Sequence, residues 1–201
     1  MSGFSIRIAA PGDAAAVREI YRWYVENTAV TYDYQTPSEE EFAERIRHTL
    51  KFYPWLIAEA DGAIAGYAYA GRFHSRAAYD RCAELSIYLA HEARRRGMGR
   101  ALYAALEEAL KLMGILNLYA CIASPPEPDE YLNDASEHFH ERMGFRKNGV
   151  FRSCGYKFGR WYDMIWMEKL IGEHTADEPP IQSFSSVSSD MALGFFQFPR
   201  K

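Results

Sequence analysis

The chain has 201 residues, enough for one domain with a sizeable core and short for two. Apolar residues make up 48% and charged residues 25%, the balance of a soluble globular protein, and a net charge of −4 argues against wholesale nucleic-acid binding. Cys82, Cys121 and Cys154 are odd in number and lack metal spacing, so they read as free thiols in a reducing compartment; with no apolar leader and no run near the roughly 20 residues of a membrane span, a cytoplasmic protein is expected.

In chain order, FSIRIA (Phe4–Ala9) alternates as a strand does. PGD turns the chain, and Asp13 can cap a helix carrying Val17, Ile20, Tyr21 and Tyr24 on one face. Ser38 and Glu41 form a capping box for a second helix, with Phe42, Ile46 and Leu50 at helical spacing. Two β runs flank Asp61-Gly62, a type I′ hairpin pair. AELSIYL (Ala83–Leu89) is another strand. The next helix sets Leu102, Leu106, Ala109, Leu110 and Met113 on one face and ends at Gly114. NLYACIA is a strand, and a shorter helix follows with Asp134 and Glu137 in capping-box spacing. Two last strands lie around Gly155–Gly159. The order β-α-α-β-β-β-α-β-α-β-β mixes hairpins with strands flanking helices, which places the chain in the α+β class with a mixed sheet. Composition changes near Gly172. A domain over residues 1–171 is expected, followed by a polar tail, 172–201, that ends in MALGFFQF and docks on the body, docks on a second subunit or is disordered.

The stretch RRRGMGRA, Arg94–Ala101, lies between a strand and a helix. It reads either as a solvated charge run or as a phosphate cradle, because a helix N-terminus offers unpaired N–H groups and a positive dipole end. In the cradle reading, Gly97 and Gly99 clear side chains from the anion's path. A P-loop would need Lys-Ser/Thr where Arg100-Ala101 stands, and a Rossmann fingerprint would need a small residue at Leu102. What remains is R-x-x-G-x-G-x-A. It resembles the acetyl-CoA pyrophosphate loop of the GNAT (GCN5-related) N-acetyltransferases. PWLIAEADGAIAGYAYAG, RAAYD, ELSIYL, HERMGF and GYKFGRWYD extend the likeness, in order over residues 4–170, to the branch that acetylates phosphinothricin and methionine sulfone.

The resemblance implies a sheet with helices on both faces and a splayed pair of parallel strands, here ELSIYL and NLYACIA. Acetyl-CoA lies between them. Its pyrophosphate is expected on Arg94, Arg95, Arg96, Gly97, Met98, Gly99, Arg100 and Ala101, and its acetyl carbonyl on main-chain N–H groups of Ile87, Tyr88 and Leu89. Asn133 and Ser136 match cofactor contacts, although helix capping would also explain them. Acetyl transfer to an amine needs a neutral nucleophile, donors for the oxyanion and a proton for the leaving thiolate. Glu84 matches the family's base, acting through water; its other reading is an edge carboxylate, solvated or paired with Arg81. His140 matches the second catalytic position, as acid or base. Arg76 and Tyr79 match a substrate-side segment whose arginine fork suits a carboxylate or phosphinate, or else binds Asp80; Tyr32 and Lys157 complete the pocket. Trp161 and Trp166 read as core or interface. The family implies a homodimer that acetylates a small amino acid-like amine, with no nucleic-acid or membrane partner. The alternatives are another amine, on a protein N-terminus or an antibiotic, and a non-catalytic coenzyme A sensor.

Overall fold

A computed structural model describes residues 3–177 and 179–189. One seven-stranded sheet runs through it: β1 (Phe4–Ile8), β2 (Trp55–Ala60), β3 (Ala63–Arg72), β4 (Cys82–Leu89), β5 (Asn117–Ser124), β6 (Arg146–Lys157) and β7 (Arg160–Leu170). The spatial order is β1-β2-β3-β4-β5-β7-β6. Only β4 and β5 are parallel, and they pair over just three residues, Cys82 with Asn117 through Glu84 with Tyr119. Beyond that point each strand keeps its other neighbour, β3 or β7, and the two diverge. The mixed sheet and the splayed parallel pair are as expected.

Helices cover both faces. Helices α1 (Ala14–Asn27) and α2 (Glu39–Thr49) pack on one, through Val17, Ile20, Tyr21, Tyr24, Phe42 and Ile46 against Trp55, Ile57 and Tyr67. Helix α3 (Met98–Leu112) packs on the other, where Leu102, Leu106 and Leu110 are fully buried. Each such leucine contributes about 2 kcal/mol of apolar burial. The period-2 alternation of β2 feeds both cores at once, with Leu56 toward α3 and Trp55 and Ile57 toward α1. Helix α4 (Ala135–Arg142) lies beside the diverging end of β5.

Local signals fare unevenly. The Ser38–Glu41 capping box is formed. Asp61 and Gly62 both take positive φ, as a type I′ turn requires, and so do Phe158 and Gly159 between β6 and β7. Asp13 does not cap α1 with its side chain. Its carboxylate instead takes two bonds from the Arg7 guanidinium, at 2.7 and 2.8 Å, and one from the Ala10 N–H, all of which hold it below its usual pKa. Asp134 and Glu137 do not form a capping box either: Asn133 takes the Ala135 N–H at 3.0 Å, and Glu137 pairs with Lys147.

After β7 the chain crosses back to α3. A short helix, α5 (Phe184–Val187), buries Phe184 and Val187 in the α3-side core, and the Phe184 N–H donates to the Phe52 carbonyl at 2.7 Å. The segment MALGFFQF lies outside the described residues. No helix among those described is long and apolar enough to cross a membrane.

Candidate active site

The arginine-glycine turn links β4 to α3. Arg95 and Gly97 both have positive φ, at 63° and 83°, around an ordinary Arg96. Such alternation turns successive N–H groups inward into an anion-binding nest. The first intrahelical bond of α3 goes from the Ala101 N–H to the Gly97 carbonyl, so the N–H groups of Met98, Gly99 and Arg100 begin the helix without a partner inside it, and no side chain among the described residues caps them. The two glycines have different reasons. Gly97 supplies the left-handed conformation. Gly99 is buried, and a Cβ there would meet the Phe139 ring at 3.2 Å, so its smallness lets α4 approach rather than clearing a path for an anion.

The arginines also divide. Arg94 lies over the rings of Trp23 and Tyr24 on α1, 5.0 and 5.1 Å from their centroids, and anchors the start of the loop. Arg96 pairs with Asp61 at the tip of the β2–β3 hairpin. Arg95 and Arg100 are exposed and have no ion pair among the described residues, which leaves two guanidinium groups for an anion.

A gap lies between β4, the strand that runs into this loop, and β5. It holds about 450 Å³ of space, part of it open to solvent, and its lining includes Leu85, Ile87, Ile122, Tyr103, Ser136 and His140. The Ala90 N–H donates to the Ala65 carbonyl on β3. By antiparallel alternation Tyr88 also turns its main chain to β3, opposite Tyr67, while Ile87 and Leu89 turn theirs into the gap. The Tyr24 hydroxyl already donates to the Leu89 carbonyl, at 2.7 Å, and lies 3.3 Å from its N–H. Ile87 therefore offers the free main-chain edge, and Tyr88 contributes none.

His140 is buried on α4, one turn after Ser136. Its Nδ1 lies 2.8 Å from the Ser136 carbonyl, which can only accept, so Nδ1 carries the proton. Its Nε2 lies 2.8 Å from the Tyr103 hydroxyl and accepts from it. Burial pushes the imidazole down to about 4, against the Ser136 bond that favours its charge, so it is neutral near pH 7. His138, two residues away, is exposed, as the helical offset requires.

Glu84 lies where β4 and β5 part. Tyr88 packs against Tyr21 and Tyr24 of α1, so residues two and four before it, Ser86 and Glu84, share that face. Glu84 and His140 therefore flank the gap from opposite faces of the sheet. Glu84 is half-buried, and desolvation raises its pKa. It does not pair with Arg81, which donates to the carbonyls of Gly114 and Pro179.

Around Glu84 the remaining sequence-predicted residues gather less tightly. Arg76 is exposed and has no ion pair among the described residues; Asp80 binds Arg72 instead, at 3.1 Å. Tyr79 packs on Phe73, which stacks on Tyr119, the residue paired with Glu84, and meets Trp166 edge-on. Trp161 is 59% exposed on β7. Tyr32 lies over Gly155, where a Cβ would collide with its ring, and its hydroxyl donates to the Asp163 carbonyl. Lys157 is buried and donates to the carbonyls of Thr28 and Thr31, at 2.9 and 2.8 Å. It braces the wall that carries Tyr32 and has little left for a ligand. Asn133 is exposed and spends its side-chain oxygen on the Ala135 N–H, while Ser136 lines the gap.

Three contributors escaped the sequence reading: Trp23 and Tyr24, which hold the loop and the end of β4, and Tyr103. The one signal for Tyr103 was a phenol on the otherwise apolar face of α3, since a buried tyrosine hydroxyl usually has a partner.

The family described as "Acetyltransferase (GNAT) domain" matches residues 6–166. A phosphinothricin N-acetyltransferase of Streptomyces viridochromogenes is 35% identical over 164 residues, covering 82% of this chain and 86% of that protein. An L-methionine sulfoximine/L-methionine sulfone acetyltransferase of Salmonella typhimurium is 31% identical over 175 residues, covering 87% of this chain and 98% of that protein. The crystal structure of a GNAT phosphinothricin acetyltransferase from Sinorhizobium meliloti, in complex with acetyl-CoA, superposes with a TM-score of 0.80 at 35% identity, covering 91% of this chain and 96% of that one.

Proposed function

The chain belongs to the GNAT acetyltransferases and acts as an acetyl-CoA-dependent N-acetyltransferase, and on that premise we propose that its acceptor is a small amino acid-like amine carrying a second anionic or strongly polar group. Phosphinothricin, methionine sulfone and methionine sulfoximine are of this kind, and acetylating them would serve detoxification in the cytoplasm. Acetyl-CoA enters the gap between β4 and β5 with its pyrophosphate on the nest of Arg95–Gly97, the first N–H groups of α3 and the free guanidinium groups of Arg95 and Arg100. Its acetyl carbonyl meets the Ile87 N–H. The acceptor comes from the opposite face, where Glu84 takes its proton through water and the amine attacks the thioester directly. A carboxylate with a raised pKa is the stronger base for that step. Arg76 reads the acceptor's second anion.

The observation that carries this reading is the placement of a prebuilt anion nest and a desolvated carboxylate at two ends of one strand, β4, with the gap between them. The β6–β7 ribbon exposes Val150, Phe151, Tyr156 and Trp161, and this apolar surface supports a homodimer; light scattering that found only monomer would remove that part. The activity is tested by coenzyme A release, followed with a thiol reagent, over a panel of phosphinothricin, methionine sulfone, methionine sulfoximine, ordinary amino acids, polyamines and a short peptide. Turnover confined to the first three is expected, and Arg76→Ala raises their KM while sparing that of acetyl-CoA. Turnover only on other amines would keep the acetyltransferase and sink this acceptor class. Coenzyme A bound with no turnover at all would favour a sensor.

A further inference from the structure

The sheet is two half-sheets joined along one short seam. Strands β3 and β4 pair over seven residues and β5 and β7 over eight, whereas β4 and β5 pair over three. Parallel pairing is also slightly less stable per residue than antiparallel pairing, so this seam is the weakest line in the sheet. It is the closed end of the gap, and the angle between the half-sheets there sets the width of the gap beyond it.

The segment that follows β7 crosses this seam. It leaves the second half-sheet and passes tightly against the residue before β5: the Ile171 N–H donates to the Leu116 carbonyl at 2.9 Å, and a Cβ on Gly172 would meet the Leu116 side chain at 2.6 Å. His174 Nε2 lies 2.8 Å from the Asn117 side-chain oxygen. The segment then reaches the first half-sheet. The Arg81 guanidinium, at the foot of β4, donates to the Pro179 carbonyl at 2.6 Å and to the Gly114 carbonyl at 3.2 Å. The Arg81 carbonyl accepts from the N–H groups of Leu116 and Asn117, so this one residue touches β4, the start of β5 and the crossing segment. Farther on, the Gln182 N–H donates to the Met113 carbonyl at the end of α3, and the Phe184 N–H to the Phe52 carbonyl ahead of β2. Phe184 and Val187, 2% and 4% exposed, anchor the segment in the α3-side core. None of these partners lines the gap.

We propose that this segment is a strap that holds the half-sheets at the angle the pantetheine arm of acetyl-CoA needs, with Arg81 and Phe184 as positioning residues. The strap rests on the cofactor geometry proposed above, in which the arm lies between β4 and β5. With the strap docked, the gap is preformed. With it loosened, the half-sheets turn about the three-residue seam, and only part of the population presents the gap at the right width; apparent affinity for the arm falls by that fraction. The anion nest is spared, because Arg95, Gly97 and the start of α3 all follow from β4 and belong to the first half-sheet. The strap therefore acts on the arm of the cofactor and not on its nucleotide end.

The test uses the full chain and needs no acceptor. Coenzyme A is compared with 3′-phospho-ADP, the same nucleotide without the arm, by titration calorimetry at a temperature where circular dichroism shows each variant folded. Phe184→Ala empties the anchor, and Arg81→Met removes the donors to both carbonyls while keeping an apolar stem. Each is expected to raise the Kd for coenzyme A about tenfold and to leave that for 3′-phospho-ADP within about twofold. Phe184→Leu keeps the anchor filled and should bind both ligands as the unmodified chain does. A loss of global stability alone would leave both Kd values unchanged in the folded protein, so it does not produce this split. An equal rise for the two ligands, or no rise for either, would overturn the strap alone, provided that the unmodified chain holds coenzyme A more tightly than 3′-phospho-ADP. Equal affinity for the two in the unmodified chain would overturn the gap geometry, and the strap with it. If Phe184→Ala does not fold, Arg81→Met decides by the same split.

Discussion

The two faces of the gap between β4 and β5 are built in different ways. On the cofactor side the core of the site is main-chain N–H groups, held by positive φ at Arg95 and Gly97 and by a helix packed on the sheet, with the Arg95 and Arg100 side chains added at its rim. The direction of these N–H groups is set by backbone conformation rather than by side-chain rotamers. On the Glu84 side the groups are side chains brought from separate segments: Arg76 before β4, Tyr32 after α1, and Lys157 at the end of β6. A cofactor common to a family suits the first kind of site, and an acceptor that differs between members suits the second. Backbone cradles are hard to alter one residue at a time, whereas a side-chain wall is easily altered.

If that division holds, damage to one side should leave the other intact. The largest effect is expected from Glu84→Gln, which removes the proposed base and leaves β4 paired. It should lower kcat by about 10²–10⁴-fold, with the KM for acetyl-CoA within about twofold, in steady-state kinetics on the best acceptor. The base works when ionised, and desolvation raises its pKa, so activity should fall with decreasing pH at a point above the usual glutamate value of about 4.3. That acidic limb should vanish in Glu84→Gln. A rise in the KM for acetyl-CoA as large as the fall in kcat would erase the division between the faces.

The next effect concerns stability. His140 stays neutral in the folded protein down to about pH 4, whereas unfolded histidine takes a proton near 6.5. Between those values the unfolded chain binds more protons, so stability is full above about pH 6.5 and falls as the pH drops toward 4. The loss is about 3 kcal/mol. Denaturant melts across this range should show a slope that His140→Gln lacks. An identical slope in both proteins would mean that His140 is more solvated than its position on α4 indicates.

The same division explains what the sequence made legible. Periodicity found the faces of α1, α2 and α3, because burial on one side of a helix leaves a local trace. The Asp61-Gly62 turn and the Arg94–Ala101 loop were legible for the same reason, since positive φ and close packing restrict residue type within a few positions. Lys157 was not. Its lysine looked like a ligand group, yet its partners are carbonyls of Thr28 and Thr31, more than 120 residues earlier. Asp13 does not serve as the cap its position suggests, because Arg7, from β1, outcompetes the helix end for its carboxylate. Tyr103 and His140, 37 residues apart, meet only because Gly99 lets α4 close on α3. Such pairings depend on tertiary approach, and no local pattern encodes them.

Smaller effects separate bracing from binding on the Glu84 side. Lys157→Met keeps most of the side-chain volume and removes the donors from two carbonyls, one of them buried. It should cost about 2 kcal/mol in a denaturant melt and raise the acceptor KM through a loosened Tyr32 wall. A stable variant with only the acceptor KM raised would return Lys157 to the role of a direct ligand.

The mildest substitution tests the other face most directly. Gly97→Ala adds one methyl into open space, so nothing collides with it, and the strain comes only from a φ of 83° that alanine adopts poorly. The stability cost is about 1 kcal/mol, close to the smallest that a melt resolves. If the turn relaxes to relieve that strain, the N–H groups of Arg96–Gly99 turn away from the nest, and the KM for acetyl-CoA should rise about tenfold while kcat at saturation is unchanged. Gly99→Ala is the control. Its methyl meets the Phe139 ring, so it should disturb the approach of α4 and with it the His140–Tyr103 contact, lowering kcat more than it raises the KM. Opposite splits between KM and kcat from two glycines two residues apart would locate the phosphate cradle at Gly97 and the helix contact at Gly99. Matching splits would mean that the loop and α4 move as one body, and that the cofactor side is less rigid than its backbone geometry implies.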